Sequence, residues 1–515
     1  MRSKFAIYNS ITAAMLQAFL LIQGLIIPRL VIEYYGSDIN GLIYGSQQVF
    51  NQLNYIEAGF YLAFMYILFK PLNENNNSDI KQIFNMIKLK YKHLSTALLF
   101  FVLMFAFIYP VLLGISFSNY FLYFVIILLV GFANVLNIYL FYKYRPILIA
   151  SQKEYVLSLS FIVSVLFSIL VTYALVLSNF NIVIVRIVPI FAVLLRSLII
   201  QFYMKRRSKL VVFDHKEEGS CGFSVNIDKI YPAIVFQIAT SISVIIPAFI
   251  ISIISTLEVT SVFSVYNSIF FGLIGISGIF VVGIPASLGN MYANNETKLM
   301  KVSLQAFETF ISIVSTVLYA AFALLVTTFI KIYISFDSDI SYFNEYYPLI
   351  FAIWGIIHNL RIVPSTYIMA VGKFKSIQFV NTVYIISIIS MGFAFGYIFN
   401  YYASIIIVII LTFIRNIVFY IDAKNDAVFA YNKSTLKFLL SIAIVCMMYF
   451  ANKFIDVTYI ENVFDWVAHA VIIVTAISIV VISFYYFMFK NDILYMTRKI
   501  ISGIKSILGK GNENV

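Results

Sequence analysis

The chain has 515 residues, 62% of them hydrophobic and only 11% charged, with a mean hydropathy of +0.94 and a net charge of +12. A water-soluble chain could not carry that much apolar surface without aggregating, and two cysteines exclude a disulfide framework or a cysteine metal cluster. The composition is that of an integral membrane protein, in which positive charge reports membrane topology rather than nucleic-acid binding, which is not expected.

The apolar residues recur from end to end in runs long enough to cross a hydrocarbon core of roughly 30 Å as helices. An open sheet would leave its edges unsatisfied in lipid, and a barrel would show short alternating segments. The expected fold is therefore all-α and polytopic, with about fourteen transmembrane helices. The first run, after the basic start MRSK, exceeds a signal-peptide core and lacks a small-residue cleavage site, so it is a retained span.

In chain order, spans are expected at 8–34, 42–69, 94–114, 120–142, 156–177 and 182–204. After a basic linker they continue at 230–255, 262–289, 304–330, 346–371, 377–399 and 402–421, with two more at 437–455 and 465–489. Lys and Arg fall into alternate connections: 28 of the 35 lie in one set, the other set holds only Lys331 and Lys453, and five lie within spans. This bias places both termini in the cytoplasm. Basic amphipathic character before the third span, in NENNNSDIKQIFNMIKLKYKH, and in the tail fits helices lying on the anionic leaflet or solvated loops. The longest outer connection, KIYISFDSDISYFNE, is too short for a domain, and its Asp337 and Asp339 are expected in a solvated loop.

The chain also resembles itself at a shift of about 220 residues. IIPRLVI from Ile26 returns as IIPAFII from Ile245, ASQK at Ala150 as AVGK at Ala370, and LRSLI at Leu195 as IRNIV at Ile414. The register implies an N-terminal six-helix bundle over 1–209, a cytoplasmic linker over 210–229 and a C-terminal six-helix bundle over 230–436. Two added helices follow over 437–489, then a basic tail over 490–515. An even number of spans per half makes the repeat parallel, and pseudosymmetric halves suit alternating access.

The five intramembrane arginines are Arg29, Arg186, Arg196, Arg361 and Arg415. Each is unfavourable in hydrocarbon and should face protein or water. Few carboxylates answer them, chiefly Glu33, Glu57 and Glu308. Excess buried positive charge suits an anionic ligand, and guanidinium binds phosphate in bidentate fashion; the competing reading is snorkelling or structural pairing. Arg361, in GIIHNLRIVPS, lies mid-span beside His358 and Asn359, with Pro364 loosening the helix one turn later. Pro28 is expected to end regular hydrogen bonding near Arg29, with Glu33 as that arginine's partner. In GSQQVFNQLNYIEAGF, Gln47, Asn51 and Asn54 share one helical face and should line a wet cavity or another helix, their amides suiting sugar hydroxyls. Glu57 is a candidate for a coupling cation or an ion pair. Motifs for enzymatic catalysis are lacking: there is no glycine-rich phosphate loop and no HExxH.

The segment YYGSDINGLIYGSQQVFNQLNYIEAGFYLAFMYILFKPL, with YRPILIASQKEYV and YIMAVGKFKS, resembles bacterial polysaccharide-repeat-unit flippases. These are the O-antigen and capsule transporters of the multidrug/oligosaccharidyl-lipid/polysaccharide exporter superfamily. The resemblance implies translocation of an undecaprenyl-pyrophosphate-linked oligosaccharide to the outer leaflet of a bacterial plasma membrane. It implies pyrophosphate at Arg29 and Arg361, and a glycan cleft lined by Gln47, Asn51, Asn54, Gln237, Tyr266 and Asn267. Its expected partners are the lipid-linked substrate, bilayer lipids and other polysaccharide-assembly proteins. No cofactor is expected, and a coupling cation, sodium or proton, is left open. The alternatives are a multidrug antiporter, which would want an acidic cavity, and a glycan polymerase, which would want a large outer loop.

Overall fold

In the computed structural model, residues 2–74, 76–207, 227–281, 284–425, 431–452 and 462–507 are described. The linker expected at 210–229, with Cys221, and the end of the basic tail lie outside them, apart from residues 227–229, which begin a helix. Within the described residues every regular element is helical. The order begins α1 (Arg2–Tyr35), α2 (Ser37–Asn73), α3 (Asn77–Leu112), α4 (Phe117–Leu140), α5 (Arg145–Ala150), α6 (Glu154–Leu177) and α7 (Ile182–Arg207). It continues with α8 (Ile227–Ile254), α9 (Leu257–Ile279), α10 (Ile284–Ala293), α11 (Thr297–Tyr333), α12 (Tyr347–Leu360) and α13 (Ile362–Val371). The last four are α14 (Gln378–Ile398), α15 (Tyr401–Asn425), α16 (Tyr431–Asn452) and α17 (Val463–Ile507).

Among the described residues, thirteen spans are long and apolar enough to cross a membrane. The helix α2, 37 residues long, covers the span expected at 42–69 but is not among them. The protein is an all-α polytopic membrane protein. Two expectations are corrected by the backbone. The helix α1 runs through Pro28 to Tyr35 without ending, as membrane helices tolerate a proline whose freed carbonyl is satisfied by neighbours. The amphipathic stretch before the third span is the first half of α3 itself, and its Ile80, Ile83, Phe84, Ile87 and Tyr91 are buried. It is a helix rather than a loop, with those residues recurring at helical spacing and packing into the protein while Lys88, Lys90 and Lys92 stay exposed. The span expected at 346–371 is found as Tyr347–Val371, built of two helices, α12 and α13, that meet at Arg361.

The chain divides into two compact units. Unit 1 comprises Met1–Ile269, Phe336–Ser341 and Ile385–Ile405; unit 2 comprises Phe270–Ser335, Tyr342–Tyr384 and Ile406–Val515. In unit 1, α2 packs along α8, α3 along α4, α1 along α6, and α7 against α4 and α6. In unit 2, α11 packs against α12, α16 and α17, and α10 against α13.

Helices in lipid gain little from hydrophobic association, so close backbone approach and polar contacts must hold them. Glycine provides the first. A Cβ on Gly41 of α2 would stand 1.9 Å from the Leu257 carbonyl oxygen, and one on Gly355 of α12 would stand 2.0 Å from the Tyr319 ring. Hydroxyls and amides provide the second: the Tyr109 and Ser252 hydroxyls lie 2.6 Å apart in unit 1, and Thr316 Oγ1 donates to Ser441 Oγ at 2.9 Å in unit 2.

Candidate functional site

Both units contain a helix broken beside an arginine. In unit 1, α4 gives way to a single 3-10 turn, Tyr142–Tyr144, before α5 starts at Arg145. Pro146 is the cause, because its ring conflicts with the carbonyl four residues back, that of Tyr142, and it donates no hydrogen bond. In unit 2, Pro364 acts the same way on Leu360, the last residue of α12, and α13 resumes at Ile362. The expectation that Pro364 loosens this span locates the break one turn upstream of the proline.

The unit 1 break delivers Arg145 to α2. Arg145 Nη1 lies 2.7 Å from Glu57 Oε2, and Tyr91 Oη donates to the other carboxylate oxygen at 2.6 Å. The Arg145 guanidinium also covers the Tyr61 ring at 4.2 Å, and Tyr142 Oη donates to Asn54 Oδ1 at 3.3 Å. Glu57 is fully buried, whereas the Arg145 side chain keeps 29% of its surface exposed. Two acceptor bonds and an adjacent cation compensate a carboxylate that burial alone would disfavour.

Two polar stripes run along α2. Gln47, Asn51, Asn54, Glu57 and Tyr61 follow one another at spacings of three and four, hence on one face; Gln47 Nε2 donates to Asn51 Oδ1 at 3.0 Å. Asn40, Tyr44, Gln48 and Gln52, each four apart, form the second stripe, which meets α8 and α9. Asn40 Nδ2 reaches Ser261 Oγ at 2.8 Å and Ser264 Oγ at 3.0 Å. Asn267 Nδ2 donates to Tyr44 Oη at 2.7 Å, and Ser241 Oγ donates to Gln52 Oε1 at 3.2 Å. At the start of α2, Asp339 accepts from the Ser37 amide at 2.9 Å and from its hydroxyl. It acts as an anchor at a helix N-terminus, where a carboxylate is favoured, rather than only as a loop residue.

In unit 2, Arg361 Nη2 lies 2.8 Å from His358 Nε2. Because guanidinium only donates, the imidazole accepts there and carries its proton on Nδ1. Asn359 donates to Ser277 Oγ at 2.8 Å and Ser315 Oγ at 2.9 Å, bracing the break from two helices. Beneath it, Glu308 accepts from Tyr420 Oη at 2.8 Å and from Lys437 Nζ at 3.0 Å, and Lys437 also lies 3.4 Å from Asp492. These charges fasten α16 and α17 to α11. A space of about 20 Å³ between Glu308 and Asn359 has room for one water.

Arg196 and Arg415 stand at equivalent places in the repeat and are housed alike. The Arg196 guanidinium lies 3.2 Å from the Phe141 ring centre and 3.9 Å from that of Phe161, with Asn137 Oδ1 at 3.4 Å from Nη1. Arg415 lies 4.6 Å from the Phe419 ring centre and 4.9 Å from that of Tyr384, and its Nε donates to Asn381 Oδ1 at 2.8 Å. Both are buried under aromatic faces, a cation–π setting. Arg186 is buried as well, Arg29 is half-buried in α1, and Glu33 is exposed near its end. Of the glycan candidates, Gln47, Asn51, Asn54 and Gln237 are half-buried and Tyr266 and Asn267 fully buried.

Sequence reasoning missed Arg145 and Lys437, both assigned to basic inner connections. For Arg145 a signal existed: it immediately precedes a proline, and Glu57 needed a cation. Among the described residues no group of three or more His, Cys, Asp or Glu side chains is placed to hold a metal ion.

No family model and no curated protein matches the chain by sequence. Solved structures match by fold. A lipid II flippase, MurJ, in an inward closed conformation aligns with TM-score 0.68 and 15% identity over 93% of this chain and 99% of its own. An inward-facing multidrug resistance transporter of the MATE family, in the MOP superfamily, aligns with TM-score 0.58 and 11% identity over 87% of this chain and 100% of its own. A MOP superfamily transporter from Pyrococcus furiosus, described as having a binding pocket of reversed polarity, aligns with TM-score 0.58 and 12% identity over 87% of this chain and 96% of its own. The fold is that of MOP-superfamily flippases and transporters.

Proposed function

We propose that the protein is a flippase that carries an undecaprenyl-pyrophosphate-linked oligosaccharide repeat unit from the cytoplasmic to the outer leaflet of a bacterial plasma membrane by alternating access. It would act in surface polysaccharide assembly with both termini cytoplasmic. The observation that carries this reading is the cationic interior: among the described residues Arg186, Arg196 and Arg415 are buried and Arg29, Arg145 and Arg361 partly so, while the buried carboxylates are Glu57 and Glu308. Such an interior favours an anionic head group and disfavours the organic cations of a multidrug exporter.

In this reading Arg29 and Arg361 hold the pyrophosphate. Gln47, Asn51, Asn54, Gln237, Tyr266 and Asn267 meet the glycan. Glu33 and His358 are the groups left for ion coupling, and Glu57 serves the Arg145 pair. The prenyl chain stays in lipid, and no chemical bond changes.

Deletion of the gene followed by extraction of lipid-linked intermediates tests the proposal. Complete repeat units stranded on the cytoplasmic leaflet are expected. Single units exported but unjoined would identify a polymerase instead, and unchanged intermediates with lost drug resistance would identify a multidrug exporter. Arg29→Gln with Arg361→Gln, at unchanged protein levels, should lower export at least tenfold if a bidentate phosphate contact worth about 1.5–3 kcal/mol is lost.

A further inference from the structure

Unit 2 contains a groove that the transport reading does not use. It has a volume of about 330 Å³, within the range of small-ligand sites of roughly 300–1,000 Å³. Three helices each turn one face into it: α10 with Leu288 and Met291, α11 with Leu304, Phe307 and Phe310, and the end of α17 with Met496. The α17 backbone is non-helical at Phe489, so the segment carrying Met496 is a separate helical piece beyond that kink. Phe280 closes the groove, edge-on to Phe310 with ring centres 5.1 Å apart.

The rim is polar and basic. Ser303 and Tyr495 pair their hydroxyls at 3.0 Å, Ser287 is exposed on the lining, and the exposed Lys499 completes it with its ammonium 5.6 Å from the Tyr495 ring centre. Arg498 adjoins Lys499, and Lys298 and Lys301 precede Ser303 on α11; the carboxylates nearest in sequence are Glu296 at the α11 start and Asp492, which is engaged by Thr309 and Lys437. An apolar slot in a membrane protein takes up hydrocarbon, because an empty one forfeits contacts along its whole lining. A basic rim at the end of a span selects anionic head groups.

We propose that this groove is a site for an anionic glycerophospholipid, with one acyl chain lying between α10, α11 and α17 and the phosphate at Lys499 and the Ser303–Tyr495 hydroxyls. The volume suits part of a single acyl chain, and the hydroxyl pair supplies donors that a phosphate oxygen needs beside the ammonium. The site ties the last helical segment to α11 through a lipid.

The test uses the full-length protein, purified in detergent, stripped of lipid and then incubated with equimolar phosphatidylglycerol and phosphatidylcholine; native mass spectrometry reads the ratio retained. Wild type should prefer phosphatidylglycerol. Lys499→Gln should lower that preference about fivefold, the weight of one lysine at a lipid surface, and Ser287→Trp, which obstructs the groove from an exposed position, should reduce retention of both lipids. Equal retention by wild type, an unchanged ratio in Lys499→Gln, or unchanged retention in Ser287→Trp, with the proteins folded by circular dichroism, overturns the proposal. Displacement of phosphatidylglycerol by equimolar undecaprenyl phosphate also overturns it, by assigning the groove to a prenyl chain.

Discussion

The helix break in unit 1 and the one in unit 2 share a cause and differ in what they do with their arginine. Each lies four residues before a proline. At the first, Arg145 is met by a fully buried carboxylate, Glu57, and by a tyrosine that holds that carboxylate in place. At the second, Arg361 is met by an imidazole, His358, while the carboxylate of that unit, Glu308, is engaged by Lys437 and Tyr420. A guanidinium paired with a carboxylate is largely neutralised, whereas the imidazole that accepts from Arg361 brings no counter-charge. The same backbone device therefore sets one arginine against a buried carboxylate and the other against an imidazole.

That contrast is open to attack. Glu57→Ala leaves Arg145 without its carboxylate and should have the largest effect, a destabilisation of about 3–5 kcal/mol. It would be read as a fall in melting temperature of the detergent-solubilised protein, and Glu57→Gln combined with Arg145→Gln should recover most of it. If the single variant melted like wild type, the pair would not be structural.

Gly355→Ala forces a methyl onto the Tyr319 ring in unit 2 and should cost about 1–3 kcal/mol; Gly41→Ala meets backbone rather than a ring in unit 1 and should cost at least as much. Equal tolerance of both would mean that the helices separate more easily than their packing implies. His358→Gln should change stability by about 1 kcal/mol, since an amide can still accept from Arg361, yet alter transport. That outcome separates binding from support. The smallest effect belongs to Asp339→Ala, about 0.5–1 kcal/mol from a lost N-terminal anchor of α2, read by faster amide exchange at Ser37 and its neighbours.

The housing of Arg196 and Arg415 shows how far the internal repeat reaches. Their sequence context, LRSLI against IRNIV, is a weak match in so apolar a chain. In the structure each guanidinium nevertheless lies over a ring of the preceding long helix, α6 or α14, and beside an asparagine.

Composition and hydropathy by themselves determined that the chain is a bundle of membrane helices, because a run of some twenty apolar residues has no other stable form in lipid. Helical spacing likewise determined the stripe Gln47, Asn51 and Asn54, whereas a proline alone did not decide where a helix breaks: α1 runs through Pro28, and the chain breaks before Pro146 and Pro364. Which charges meet was decided only by tertiary structure. Arg145 and Lys437 read as ordinary basic connection residues until α5 and α16 bring them to Glu57 and Glu308, 88 and 129 positions away in the chain. Periodicity fixes the face on which a side chain stands, but the partner across that face depends on how helices distant in sequence pack.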